Sequence, residues 1–151
     1  MFFKNRGFCF IIIKTADNKE GGTVSSTFGN NYYFKYKATY SKRKMANGLS
    51  AVVLFSQTRG DGYVDGTQFR AKNYFIGLGY ELNLKNSFQF IFTGSTYWHD
   101  QKTTNISIAD YLKYGASGEP NRKLNIDVEY LNGEAFNMRT NYYHKPVASF
   151  S

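Results

Sequence analysis

The stretch from Phe34 to Ser41 reads Phe-Lys-Tyr-Lys-Ala-Thr-Tyr-Ser, so every even position is apolar or aromatic and every odd one is polar. A strand sends successive side chains to opposite faces, and this order gives one apolar and one wet face. A helix, at about 3.6 residues per turn, would scatter the same residues around its surface. The constraint recurs. Leu49, Ala51, Val53 and Phe55 share one face of a second run, although Val52 and Leu54 make its middle apolar on both sides. Asn73 to Asn83 is a third, with Tyr74, Ile76, Leu78, Tyr80 and Leu82 on one face and Phe75, Gly77, Gly79 and Glu81 among those on the other. A fourth starts at Ser87, where Phe88, Phe90 and Phe92 alternate with Gln89, Ile91 and Thr93, and continues to about Trp98. Thr23 to Phe28 reads as a weaker strand before them, and Lys145 to Ser151 begins another. Phe and Tyr favour strands, and the chain holds 14 Phe and 13 Tyr.

The connections alternate in length. Met45-Ala46-Asn47-Gly48 carries a tight Asn-Gly hairpin signal, and Leu84 to Ser87 is another short turn. Thr58–Lys72 is longer and rich in Gly and Asp, and His99–His144 is longer still. A compact soluble domain rarely holds so long a loop without structure of its own. Within it, Ile106 to Tyr114 is expected to form a helical turn or two, capped by Asn105 and stopped by Gly115. Short turns at one end and long loops at the other are the pattern of outer-membrane barrels. Barrel strands need about 9–11 residues to cross a bilayer, and these runs are near that length. Tyr32, Tyr33, Tyr40, Tyr74, Tyr80 and Trp98 would suit the aromatic girdles at its two surfaces. A soluble antiparallel sandwich with the aromatics as core remains open on periodicity alone.

The longest uninterrupted apolar run is Phe8–Ile13. A membrane-spanning helix needs roughly 20 apolar residues, so no helical span can be built. Mean hydropathy is −0.49, a value that alternation produces in membrane barrels as well as in soluble chains. Lys4 and Arg6 before a short apolar stretch imitate a signal peptide, but no small-x-small cleavage site follows. Net charge is +8, which suits an anionic partner such as nucleic acid or lipopolysaccharide. The charge is dispersed, and its one basic run, Lys42-Arg43-Lys44, reads as a solvated turn flank. Cys9 stands alone, which excludes a disulfide framework and reads as a small apolar residue. His99 and His144 are far apart without acidic ligand spacing, so no metal site and no cofactor are expected.

No catalytic constellation appears, and no enzyme is expected: no Ser-His-Asp spacing or nucleophile elbow occurs, and Gly115 to Gly118 lacks a phosphate-loop context. Arg59-Gly60-Asp61 reads as part of a tight loop, and Asp61 and Asp65 miss the calcium-loop register. Asn105-Ile106-Ser107 matches a glycosylation sequon, which is common by chance. Trp98, His99, Asp100 and Gln101 form the candidate ligand-binding cluster. An aromatic face beside hydrogen-bonding groups suits sugars and other polar ligands. The plainer reading, preferred here, is a rim Trp with hydrophilic loop residues beyond it.

Several segments carry a resemblance. Ile13-Lys14-Thr15-Ala16-Asp17-Asn18-Lys19-Glu20-Gly21-Gly22 resembles the plug-to-barrel junction of TonB-dependent outer-membrane receptors. "FGNNYYFKYKATYSKR" resembles that family's first strand, loop and returning strand, and "NGLSAVVLFSQTRGDGYVDGTQFRAKNYFIGLGYELN" its next hairpin. "STYWHDQ" resembles its "WHNQ"-type segment, and "YLNGEAFNMRTNYYHKP" the end of its third outer loop in Bacteroidetes-type receptors, including SusC-like members and those with a carboxypeptidase-regulatory-like leader. The resemblance covers roughly residues 11 to 151. It departs where the family's signal peptide, energy-coupling box and most of the plug should precede residue 11, and Met1–Phe10 does not look like plug. Large barrels of this kind close with about 22 strands, so the chain is expected to be a fragment or a truncated reading frame.

The resulting expectation is an all-β fold: antiparallel strands forming an open fragment of a large plugged transmembrane β-barrel. Residues 1–21 would be a remnant of plug end and linker. Residues 22–151 would be the first five to six barrel strands, with a long outer loop at about 99–144. Phe34, Tyr36, Tyr40, Tyr74, Ile76, Leu78, Phe88, Phe90 and Phe92 would face lipid. The resemblance implies a transporter in the cell outer membrane that imports a scarce large solute such as a glycan, a siderophore or cobalamin, and a fragment not competent for transport alone. It also implies the partners: outer-membrane lipid, the TonB energy-coupling complex through the missing N-terminal region, the transported solute and, for SusC-like members, a SusD-like surface lipoprotein. No nucleic acid partner is expected. The alternative is a soluble basic β-barrel that binds nucleic acid or another polyanion by stacking bases on aromatics. That reading requires Tyr36, Tyr40 and the lysines on one face, whereas alternation separates the aromatics from Lys35 and Lys37. A third option is an extracellular adhesion or structural β-protein, for which the Gly-rich loops are weak support.

Overall fold

Alternation becomes register in the computed structural model, which describes residues 18–151. The expectations placed on Cys9, the N-terminal apolar stretch and most of the plug remnant lie outside the described residues. Eight strands and one helix follow in order: β1 (Gly21–Phe28), β2 (Phe34–Lys42), β3 (Leu49–Gly60), β4 (Phe69–Glu81), β5 (Ser87–Asp100), α1 (Ile108–Lys113), β6 (Val128–Leu131), β7 (Glu134–Asn137) and β8 (Thr140–Phe150). Six of them make one antiparallel sheet in the order β1-β2-β3-β4-β5-β8, open at both edges, and β6 and β7 form a separate hairpin. The chain is an all-β antiparallel structure.

The register aligns the apolar sides of neighbouring strands. Phe34 lies opposite Phe28 and Arg59, Tyr40 opposite Val53, Val53 opposite Ile76, Ile76 opposite Phe92, and Phe90 opposite Phe150. All nine side chains expected to face lipid therefore share one face, here the first face. Aromatic pairs lock it across strands: Phe28–Phe34 at 4.9 Å between ring centroids, Tyr36–Phe55 at 6.0 Å, Tyr74–Phe92 at 5.3 Å and Phe88–Phe150 at 6.1 Å. Such pairs contribute about 0.2–1 kcal/mol each. The second face carries Thr23, Ser25, Lys35, Lys37, Ser50, Ser56, Ser95 and Lys145, with a narrow apolar strip of Val52, Leu54, Phe75 and Ile91 in its middle.

This polarity is inverted relative to a soluble sheet. Among the described residues no apolar residue is buried, whereas Ser50 and Ser56 on the second face are 2% and 4% exposed. On the first face, Leu78 is 47% exposed and Val53 42%. From Tyr74 to Tyr80 the first face of β4 is uncharged, about 20 Å at roughly 3.4 Å per residue. Arg70 and Lys72 stand beyond one end of that stretch and Leu82 beyond the other.

The turns 43–48 and 82–86 lie at one end of the sheet; the connections 29–33, 61–68 and 101–139 lie at the other. At the first turn Gly48 has φ +85, and its N–H donates to Met45 O (2.9 Å). A Cβ there would meet Glu81 O at 2.4 Å, so glycine is required twice over.

Several boundaries differ from expectation. β5 runs to Asp100 and β8 starts at Thr140, so the long connection spans 101–139, narrower than 99–144. The ladder between β5 and β8, from Phe90↔Phe150 to Asp100↔Thr140, draws the polar Thr140–His144 segment into the sheet. The helix is capped by Ser107, whose Oγ accepts from Asp110 N, and it begins at Ile108; Asn105 is not its cap.

Candidate functional site

The loop end of the sheet carries the polar chemistry. Three buried polar side chains, Asn125, Asp127 and Asn137, organise it. Asn125 Nδ2 donates to Asp65 O (2.9 Å), and Asn137 Nδ2 donates to Gly66 O (2.8 Å) and Gln101 O (2.9 Å). Asp65 N donates to Lys123 O (2.9 Å). The 61–68 loop is thereby fastened to the 101–139 excursion. The Asp127 carboxylate accepts from Thr103 N (2.6 Å), Thr104 N (3.1 Å) and Thr103 Oγ1 (3.2 Å), and also from Thr104 Oγ1. Buried polar groups persist when satisfied in this way.

The Thr104 hydroxyl, then the Thr103 backbone N–H, hold the Asp127 carboxyl down at about 2. A carboxylate depressed on folding lends stability above its unfolded value of about 3.9 and loses it as pH falls through the folded value. Lowering pH from about 4 to about 2 should therefore reduce the protection of the Thr103 and Thr104 amides relative to their intrinsic exchange rates. Asp127→Asn should show low protection at every pH. Wild-type protection that does not change across this range would contradict this role.

Gly66 has φ +65, and a Cβ there would meet Val128 Cγ2 at 2.3 Å. Gly66→Ala should cost the loop contact about 1–2 kcal/mol from backbone conformation alone. Faster proteolysis within 61–68, with the sheet unaltered by circular dichroism, is the expected result.

The sequence cluster is divided by the pleat. Trp98 lies on the first face, opposite Arg70 and Tyr142, with the Arg70 guanidinium carbon 5.7 Å from its ring centroid. Asp100 shares that face and accepts from Thr140 Oγ1 (2.6 Å). His99 lies on the second face, opposite Phe69 and Asn141; its ring is 4.7 Å from Tyr97, and Gln101 Nε2 donates to its Nε2 (2.9 Å). His99 Nδ1 is buried with no hydrogen-bond partner among the described residues. The structure thus joins His99 with Gln101 and separates both from Trp98 and Asp100.

A cleft of about 810 Å³ opens at the same end, between the 29–33 turn and the ends of β3 and β4. Phe34, Tyr32, Arg59, Arg70, Asn31 and Gln68 are among its lining residues. Neither this cleft nor the Asn125–Asp127–Asn137 clamp has a local signature in the sequence. Asn132-Gly133, an Asn-Gly pair inside the excursion, was the available signal for the β6–β7 hairpin beside the clamp; its φ values are +51 and +84. Among the described residues no group of His, Cys, Asp and Glu side chains is arranged to hold a metal, and no helix is long and apolar enough to cross a membrane.

Against known proteins, the chain matches no family model, no curated protein and no solved structure.

Proposed function

We propose that this chain is a wall segment of a transmembrane β-barrel in the cell outer membrane, part of a TonB-dependent type of transporter that imports a scarce large solute. The observation that carries the proposal is the first face: apolar, solvent-exposed and uncharged over its middle across six hydrogen-bonded strands. In water such a face is costly; in a bilayer it is the required surface, with β2 to β5 hydrogen-bonded on both sides and the edges β1 and β8 left to pair with the rest of the barrel wall. The rim of Arg59, Arg70, Trp98 and Tyr142 supports the same reading, since Trp and Tyr favour the membrane surface. Loop placement agrees in its largest element, since the longest connection, 101–139, lies at the end opposite the turns 43–48 and 82–86. The strip Val52, Leu54, Phe75 and Ile91 on the second face needs a cover, which the plug of such a transporter would supply. Solute capture falls to the loop end, where the clamp fastens the excursion to the 61–68 loop.

The base-stacking alternative requires Tyr36 and Tyr40 on one accessible face with the lysines that neighbour them in sequence. Lys35 and Lys37 stand opposite Thr27, Thr58, Ser25 and Ser56 on the second face, away from Tyr36 and Tyr40.

Orientation gives the test. In cells that carry the chain in the outer membrane, externally added protease should cut within 101–139 and spare Asn47-Gly48. Cutting within 101–139 only after the membrane is opened would contradict the proposal.

A further inference from the structure

We propose that Arg59 and Arg70 form a binding site for a phosphomonoester on an outer-leaflet lipid headgroup, a proposal that rests on the membrane reading above. The two arginines are direct cross-strand partners on the first face, and like charges placed directly opposite destabilise a strand pair. Lys72 adds a third cation two residues further along the same face. Neither arginine makes an ion pair: among the described residues the ion pairs are Lys42–Glu20 and Lys44–Glu81, both at the far end of the sheet. Asp100, on the same face, is engaged by Thr140 Oγ1.

The guanidiniums lean to opposite sides. Arg59 lies over Phe34 of β2 with its carbon 5.6 Å from the ring centroid, and Arg70 lies over Trp98 of β5 at 5.7 Å. Each guanidinium thus keeps to the ring on its own side of the pair. The cleft of about 810 Å³ adjoins both arginines; Asn31 and Gln68 line it as further donors, and Asp61 also lines it.

An oxyanion of phosphate type accepts paired hydrogen bonds from guanidinium, stronger than neutral ones. A free anion would satisfy the arginines alone. A phosphorylated lipid satisfies the arginines and also covers the apolar stretch from Tyr74 to Tyr80 on the same face. The position agrees, since these cations mark the limit of that stretch, where headgroups lie.

Flotation of the full 151-residue chain with vesicles tests the site. The vesicles are phosphatidylcholine alone, phosphatidylcholine with lipid A, whose phosphates are monoesters, and phosphatidylcholine with phosphatidylserine, whose phosphate is a diester, at equal surface charge. The wild type should float with all three, with lipid A raising association about tenfold over the serine lipid. Arg59→Gln/Arg70→Gln should lose that gain yet still float with phosphatidylcholine, and Lys35→Gln/Lys37→Gln on the second face should keep it. Added inorganic phosphate should leave the gain in place; its abolition would assign the site to free anions and overturn the lipid proposal. Equal binding to lipid A and the serine lipid, or equal loss in both double variants, would overturn it while the membrane reading stands. No flotation with any vesicle would remove the membrane reading and this proposal with it.

Discussion

Replacing Ile76 with Arg is expected to weaken bilayer association by roughly 30- to 1000-fold, because Arg on a lipid-facing barrel position near the midplane costs about 2–4 kcal/mol. Ile76 lies between Val53 and Phe92, in the uncharged middle of the first face. The comparator must sit on the same strand and point the other way. Gly77 is its nearest neighbour on the second face, but it is buried between Val52 and Ile91, where Arg would disrupt packing for a different reason. Asn73 is better: it is half-buried, and its Nδ2 donates to Ser56 Oγ (3.3 Å) in a polar neighbourhood. Asn73→Arg should keep most vesicle binding. Equal losses in the two variants would remove the assignment of faces.

The second large effect concerns water. Expressed without detergent, the chain should give aggregates or inclusion bodies and no sharp monomer peak at 17.3 kDa. Two features drive this. Among the described residues β1 and β8 each have one neighbour in the sheet, and both are exposed along their whole length. Open edges of this kind template pairing between chains. The first face adds a contiguous apolar surface larger than soluble monomers tolerate. Detergent should restore a dispersed species rich in β structure. A monomer in plain buffer that unfolds cooperatively on heating would instead favour a soluble binding module.

Strands β2 to β5 were legible because their side chains alternate, and a period of two leaves no other regular structure. The face assignment followed from the same signal, and register then aligned one strand's apolar side with the next. Alternation also placed Trp98 and His99 on opposite faces, so treating Trp98 to Gln101 as one cluster ignored what the pleat dictates. β8 was truncated at Lys145 in the sequence reading because Asn141-Tyr142-Tyr143-His144 does not alternate. Its strand state comes from the ladder to Thr96–His99, which no local pattern encodes. The clamp was illegible for a related reason. Asn125 and Asn137 reach the backbone of Asp65 and Gly66, 60 and 71 positions away, and an Asn in a loop is otherwise ordinary. The helix start moved from Asn105 to Ser107 because Ser107 Oγ meets Asp110 N at 3.1 Å; either residue type can cap.

The account stands on the first face meeting lipid, and the chain carries a native reporter there, since Trp98 is its one tryptophan. Quenching of Trp98 by brominated lipids in phosphatidylcholine vesicles measures the contact directly. Bromines near the headgroup should quench it strongly and bromines near the chain ends weakly, and in a Trp98→Phe background Ile76→Trp should reverse that order. Emission that is unquenched at every bromine depth for both tryptophans would contradict the account.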